Sequence, residues 1–184
     1  MNSPLLSVAL RAPLALDLEA RIALGRSARI NRMYGHIGDT SPEMSRADAD
    51  RWLKKQQDHP CAWVIEADEA LVGEARLDNI NETDRRGRLA IGLFNDRHLG
   101  LGIGRRAIDL VLRQAFGPLG LHRVDLRVLS FNTRAIACYE RCGFVREGIE
   151  RQSARVGEEW HDDWIMAILE QDFAGLARGE QDRH

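Results

Sequence analysis

Arg97-His98-Leu99-Gly100-Leu101-Gly102-Ile103-Gly104-Arg105-Arg106-Ala107 follows Arg88–Phe94 (RLAIGLF), which alternates like a strand. It leads into a run in which Ile103, Ala107, Val111 and Ala115, flanked by Ile108, Leu112 and Phe116, recur at helical spacing. Strand, glycine turn, helix is the local reading. Glycines at alternate positions uncover the backbone of residues 99–104, and the first amides of the helix have no intrahelical acceptor. A helix start of this kind binds anions through its free N–H groups and positive dipole end, and a pyrophosphate is the natural ligand. Arg97 and Arg105 add fixed positive charge, in the planar fork that suits phosphate oxygens. Taken alone, the glycines serve a tight turn equally well.

Other glycine-based phosphate signatures fit less well. A Walker loop ends in Gly-Lys-Ser/Thr, and the only lysines here are Lys54 and Lys55, which excludes it. A Rossmann fingerprint is a nearer rival, since Gly102-Ile103-Gly104-Arg105-Arg106-Ala107 fits G-x-G-x-x-A and Asp125 lies about 20 residues further on. Asp125, however, falls inside the strand pattern Arg123–Leu129 rather than at its end. The strand before the loop also alternates instead of forming the apolar run of a central parallel strand. A dinucleotide-binding protein of that type stays as the minor alternative.

Arg97-x-x-Gly100-x-Gly102-x-Gly104 resembles the acyl-CoA pyrophosphate loop of the GNAT N-acetyltransferase superfamily, Q/R-x-x-G-x-G/A at the end of a strand. Asn132-Thr-Arg-Ala-Ile-Ala-Cys-Tyr139-Glu-Arg-Cys-Gly143-Phe144 resembles the N-x-x-A-x-x-x-Y-x-x-x-G-F helix of the same superfamily. The two come in the family's order, with a strand pattern between them. A Trp-bearing helix before the first sheet strands and the closing segment His161–Leu169 are similar to the branch that contains the ribosomal-protein alanine N-acetyltransferases. The resemblance spans roughly residues 5–170 and implies an α/β fold with a mixed, mostly antiparallel central sheet flanked by helices.

A chain of 184 residues is one ordinary domain, read here as 1–184 with a core of about 5–170 and a charged tail from Asp172 that is expected to fray. With 44% apolar and 29% charged residues it should fold, and a net charge of −2 gives no electrostatic case for nucleic acid. No apolar run reaches membrane-spanning length and no secretory leader is recognisable, so a cytoplasmic protein with no membrane partner is expected. Cys61, Cys138 and Cys142 form no C-x-x-C pair and suit a reducing compartment, the last two as small core residues on one helix. The histidines are scattered, so no metal is expected.

Leu5–Leu10 reads as a first strand and Leu14 to about Arg32 as one helix. A loop rich in glycine follows to Pro42, and a helix opened by Ser45 or Asp48 runs to about Gln57. Cys61–Glu66 and Leu71–Ile80 are consecutive strands of a meander continued by the strand before the loop. Beyond the loop helix come the strand Arg123–Leu129, the helix Asn132–Cys142, and strands Phe144–Ile149 and Trp164–Leu169.

The resemblance implies acetyl transfer from acetyl-CoA to a primary amine, either a protein N-terminus or a small molecule, by direct attack in a ternary complex. Such a reaction needs a neutral amine, a donor for the developing oxyanion and a proton for the departing thiolate. The family supplies the oxyanion donor from backbone at the end of the strand before the loop, here near Leu93 or Phe94. Cofactor contacts are carried onto Arg97, Leu99, Gly100, Gly102, Ile103, Gly104 and Arg105, with Asn132 both capping its helix and approaching the donor. Tyr139 matches the tyrosine that faces the CoA sulfur and is assigned as general acid. Its alternative is a half-buried helix aromatic.

Glu74, mid-strand with Arg76 and Asp78 on one face, is the candidate base, ahead of Glu82 and Asp84. Tyr34 and Trp52 lie in the helical region that covers the acceptor site in the family. Acidic runs at 66–84 and at 158–163 would steer a cationic acceptor if they rim the cleft, and are otherwise a solvated surface. A homodimer is expected only by family analogy. A non-catalytic CoA-binding regulator would keep the loop without needing Tyr139 or a base.

Overall fold

The computed structural model describes residues 6–36 and 41–181. The elements are β1 (Val8–Arg11), α1 (Asp17–Leu24), α2 (Ala28–Met33), α3 (Arg46–Asp58), β2 (Ala62–Ala67), β3 (Ala70–Asn81) and β4 (Arg86–Leu93). After the glycine loop come α4 (Ile103–Phe116), β5 (Arg123–Leu129), α5 (Thr133–Arg141), β6 (Val145–Val156), β7 (Glu159–Leu169) and α6 (Glu170–Gln181). The strands form one seven-stranded sheet in the order β1-β2-β3-β4-β5-β7-β6. Every neighbouring pair is antiparallel except β4 and β5. This is the expected mixed, mostly antiparallel α/β fold. It also removes the Rossmann alternative, whose loop needs a parallel, doubly wound sheet. Asp125 lies mid-strand and pairs with Arg88 at 2.6 Å.

The main core lies where α4 packs on the sheet. Ala107, Val111, Leu112 and Ala115 are fully buried against Ala75, Leu77, Val124 and Leu126. Val72, Ala75 and Leu77 of β3 face this core, while Glu74, Arg76 and Asp78 face the opposite layer, where Trp52, Gln56 and His59 approach them.

Several expected boundaries shift. Leu5 lies outside the described residues, and β1 begins at Val8. The single helix expected over 14–32 is two helices, because Gly25 adopts φ +62 and Ser27 restarts the helix as a cap, accepting from the Ile30 amide at 3.1 Å. Part of the glycine-rich loop, residues 37–40, is outside the described residues. The short strands expected at 144–149 and 164–169 are one long hairpin, β6–β7, whose edge strand is solvated on both faces. The tail expected to fray is helix α6, and its Phe173 packs on Phe116 with ring centroids 5.5 Å apart.

A Cβ at Gly25 would collide with the Pro42 carbonyl oxygen, which also accepts from the Arg26 amide at 2.8 Å. Gly25→Ala should therefore cost about 2 kcal/mol, seen as a fall in melting temperature of roughly 4–8 °C. Gly120, at φ +58 but with nothing within 4 Å of an added Cβ, is the control. Gly120→Ala should cost about 1 kcal/mol, and equal losses in the two variants would reject the packing argument.

Candidate active site

β4 and β5 are paired only from Arg86↔Arg123 to Arg88↔Asp125, although β4 runs on to Leu93 and β5 to Leu129. Beyond that pairing their backbone groups face a gap instead of each other. Hydrogen bonding along β4 alternates: Phe94 N–H bonds Val72 C=O at 2.9 Å, so Gly92 also turns its backbone groups to β3, while Ile91 and Leu93 turn theirs to the gap. The Ile91 carbonyl there accepts from the Tyr34 hydroxyl at 2.8 Å. The Phe94 amide is consequently spent on β3, and of the two expected oxyanion donors only Leu93 has its N–H directed into the gap.

The gap opens into a crevice of about 430 Å³ bounded by α2, the end of β4, the glycine loop, the start of α4 and α5. That volume is in the range of small-molecule sites. Gly100 and Gly102 hold φ +81 and +78, which reverses the chain and sets Gly102 as the cap of α4. The first bond of the helix runs from Arg106 N–H to Gly102 C=O, so the Ile103 and Gly104 amides precede the intrahelical ladder. A Cβ at Gly102 would meet nothing within 4 Å and would project into open space. Among the described residues the charged side chains on the wall are Arg29, Arg105, Arg134 and Arg141, with no carboxylate beside them. Open backbone, a helix N-terminus and converging guanidiniums fit the diphosphate and thioester arm of CoA.

Of the residues expected from sequence, Leu93, Leu99, Gly100, Gly102, Ile103, Gly104, Arg105, Asn132, Tyr34 and Tyr139 all line this crevice. Tyr139 lies on α5 with its ring edge-on to Phe144 at 5.7 Å. Burial, reinforced by the neighbouring Cys138 and Cys142 thiols, pushes its phenol well above the ordinary range. Asn132 caps α5 by accepting from the Ala135 amide at 3.2 Å, and its amide donates to the Met33 carbonyl at 3.3 Å, tying α2 across the mouth. The Tyr34 hydroxyl is seated so closely over Gly92 that any Cβ there would overlap it, and burial raises its pKa as well.

Arg97, Phe94, Trp52 and Glu74 do not reach the crevice wall. Arg97 turns to the His98 imidazole, its Nε 3.2 Å from Nε2. Trp52 and Phe94 stack edge to face at 5.7 Å, and the buried Arg21 guanidinium lies 4.2 Å from the Phe94 ring. Desolvation lowers the Arg21 pKa to about 10. Glu74, the cross-strand partner of Gly92, accepts from Trp52 Nε1 and, at 2.8 Å, from Gln56 Nε2.

The acidic runs are largely neutralised within the protein. Glu66 pairs with Arg11 at 2.6 Å, Asp78 with Arg76 at 2.9 Å, and Asp163 with Arg127 at 2.8 Å. They are not a rim of the crevice. Sequence reasoning missed Arg29, Arg134, Cys138 and Arg141 as wall residues. The last three recur at helical spacing on one face of α5, a signal the sequence does contain.

The family model described as Acetyltransferase (GNAT) domain matches residues 7–145. The probable N-acetyltransferase YjcK of Bacillus subtilis is 34% identical over 124 residues, covering 65% of this chain and 66% of that protein. The spermidine N(1)-acetyltransferase of Vibrio cholerae is 32% identical over 110 residues, covering 60% of this chain and 63% of that protein. The matches thus span about two thirds of these relatives' length. A crystal structure of spermidine N-acetyltransferase from Vibrio cholerae, in complex with CoA and spermine, superposes with a TM-score of 0.75 at 26% identity, covering 91% of this chain and 98% of that one. The chain belongs to the GNAT acetyltransferase family.

Proposed function

We propose that this protein transfers an acetyl group from acetyl-CoA to a primary amine, in a ternary complex formed across the divergence of β4 and β5. The observation that supports the reading is that one crevice is lined by the glycine cradle, by Leu93, whose N–H is turned away from β3, and by Tyr139. Acetyl-CoA, when bound, supplies the activated acyl group. The α4 amides and the arginines hold its phosphates, and the Leu93 N–H stabilises negative charge on the acyl oxygen. Tyr139 keeps its proton and delivers it to the departing sulfur. Asn132 fixes α2 over the arm. The tyrosine and the Leu93 amide are what a mere CoA-binding regulator would not need.

Glu74, on the sheet face against which Tyr34 is seated, takes up the proton of the acceptor ammonium through water. The acceptor is a primary amine, either small, as the names of the spermidine relatives suggest, or a protein N-terminus, as in the ribosomal-protein branch. Free cysteines fit a cytoplasmic setting.

The test is CoA release, corrected for hydrolysis, against polyamines, amino acids and N-terminal peptides. At least one class should turn over and gain the mass of an acetyl group, and CoA binding without transfer to any amine would favour the regulator. With the accepted amine, Glu74→Gln should lower kcat/KM about 10- to 100-fold below the amine's own pKa, and less above it, where the amine is already neutral. A loss that ignores pH would assign Glu74 to packing alone.

A further inference from the structure

Tyr34 ends α2 as its C-cap and reaches across the crevice mouth to β4, where its hydroxyl donates to the Ile91 carbonyl at 2.8 Å. The near end is fixed too, since the preceding carbonyl, that of Met33, accepts from the Asn132 side-chain amide at 3.3 Å. The side chain is therefore a bar held at both ends. Its hydroxyl rests on Gly92, where any added Cβ would overlap it, so the glycine makes room for the tyrosine. Yet Tyr34 keeps 48% of its surface exposed. A ring seated at its tip and open along the rest stands in an entrance, not under a sealed surface.

Charge says what enters there. Arg29, Arg105, Arg134 and Arg141 line the donor side of the crevice, and their field disfavours an arriving ammonium. Glu74 is the cross-strand partner of Gly92, so its side chain projects from the same sheet face on which the Tyr34 hydroxyl rests. Trp52 and Gln56 hold the Glu74 carboxylate without sealing it, since 24% of the side chain stays exposed. An ammonium is drawn to this face, and Tyr34 lies between it and the Leu93 backbone in the gap.

The geometry points to Tyr34 as the residue that sets the acceptor's shape: it admits an amine carried on an unbranched carbon, –CH2–NH2, and turns away one whose carbon bears a second substituent. This deepens the acetyl transfer proposed above and rests on it. A nitrogen poised for attack stands about 3–3.5 Å from the acyl carbon, which leaves its own carbon one bond behind, level with the ring. An extra methyl there meets a side chain tethered at both ends. The bar cannot swing aside without giving up its bond to Ile91, so the branched amine is penalised in the transition state.

The experiment measures kcat/KM at saturating acetyl-CoA for matched acceptors that differ by one methyl group: n-butylamine against sec-butylamine, and glycine-led against alanine-led tripeptides. The ratio within a pair cancels whatever the two acceptors share, including CoA affinity and any loss of folded enzyme. The full-length wild type should favour the unbranched member by about 10- to 100-fold. Tyr34→Ala should bring the ratio to within about threefold, and Tyr34→Phe, which keeps the ring but loses the tether, should fall between. Tyr34→Leu shortens the bar and gives the same reading should the alanine variant not fold. A wild type indifferent to branching, or a preference that survives Tyr34→Ala or Tyr34→Leu, would overturn the proposal. If every variant loses the same factor for all amines, Tyr34 serves the donor and the proposal is likewise rejected. Wild type that acetylates no amine at all is a different result, which removes the transferase reading itself and this inference with it.

Discussion

Gly102→Val should abolish measurable CoA binding without unfolding the protein. The position holds φ +78 and caps α4, a conformation that costs an ordinary residue about 1–2 kcal/mol and a β-branched one more. The local strain is only part of the effect. Apart from its chain neighbours no atom lies within 4 Å of a Cβ built there, so valine methyls enter open space at a residue that lines the crevice. A phosphate then cannot reach the α4 amides. Losing two charge-assisted hydrogen bonds, at about 1.5–3 kcal/mol each, weakens binding by 10²- to 10⁴-fold. Titration calorimetry with CoA, beside a melting curve, separates the two contributions. Gly102→Ala should fall between wild type and valine, and a valine variant that binds CoA within about threefold of wild type would reject the cradle.

The cradle was legible because its physics is local. Alternate glycines before an amphipathic run mark a helix start that must bare its backbone, and the helix does begin at Ile103. Arg123–Leu129 coincides with β5, and Ser45 caps α3 as its hydroxyl chemistry requires, because these features depend on a few adjacent residues. What the sequence hid depends on distant pairing. Nothing near Gly25 announces that Pro42 will close on it and split one helical pattern into two. Past Ile149 the β6 edge strand shows almost no apolar alternation, since neither of its faces is covered, and so only its first half reads as a strand. The choice between Leu93 and Phe94 as a free amide rests on the register of β4 against β3, and a shift of one residue would reverse it. Glu74 looks like a solvated strand charge until α3 delivers Trp52 and Gln56 onto it.

Tyr139→Phe should reduce kcat on the order of a hundredfold with little change in CoA affinity. The substitution keeps the ring that packs on Phe144 and removes only the hydroxyl, so it probes the proton rather than the core. Desolvation sets the direction of the pH effect. A phenol raised above its ordinary value stays protonated at every pH where the protein would be assayed, and the wild-type rate should hold past pH ~10 where an unperturbed tyrosine ionises. A raised pKa also makes Tyr139 a weaker acid, so it can serve only a sulfur whose own basicity is enhanced by exclusion from water. Replacing the thiol of the donor with a better leaving group should therefore rescue Tyr139→Phe far more than wild type, whereas loss of packing would not be rescued. Single-turnover rates with donors of graded thiol pKa measure this directly: a phenylalanine variant whose dependence on leaving-group pKa matches that of wild type would show that the hydroxyl does not protonate the sulfur.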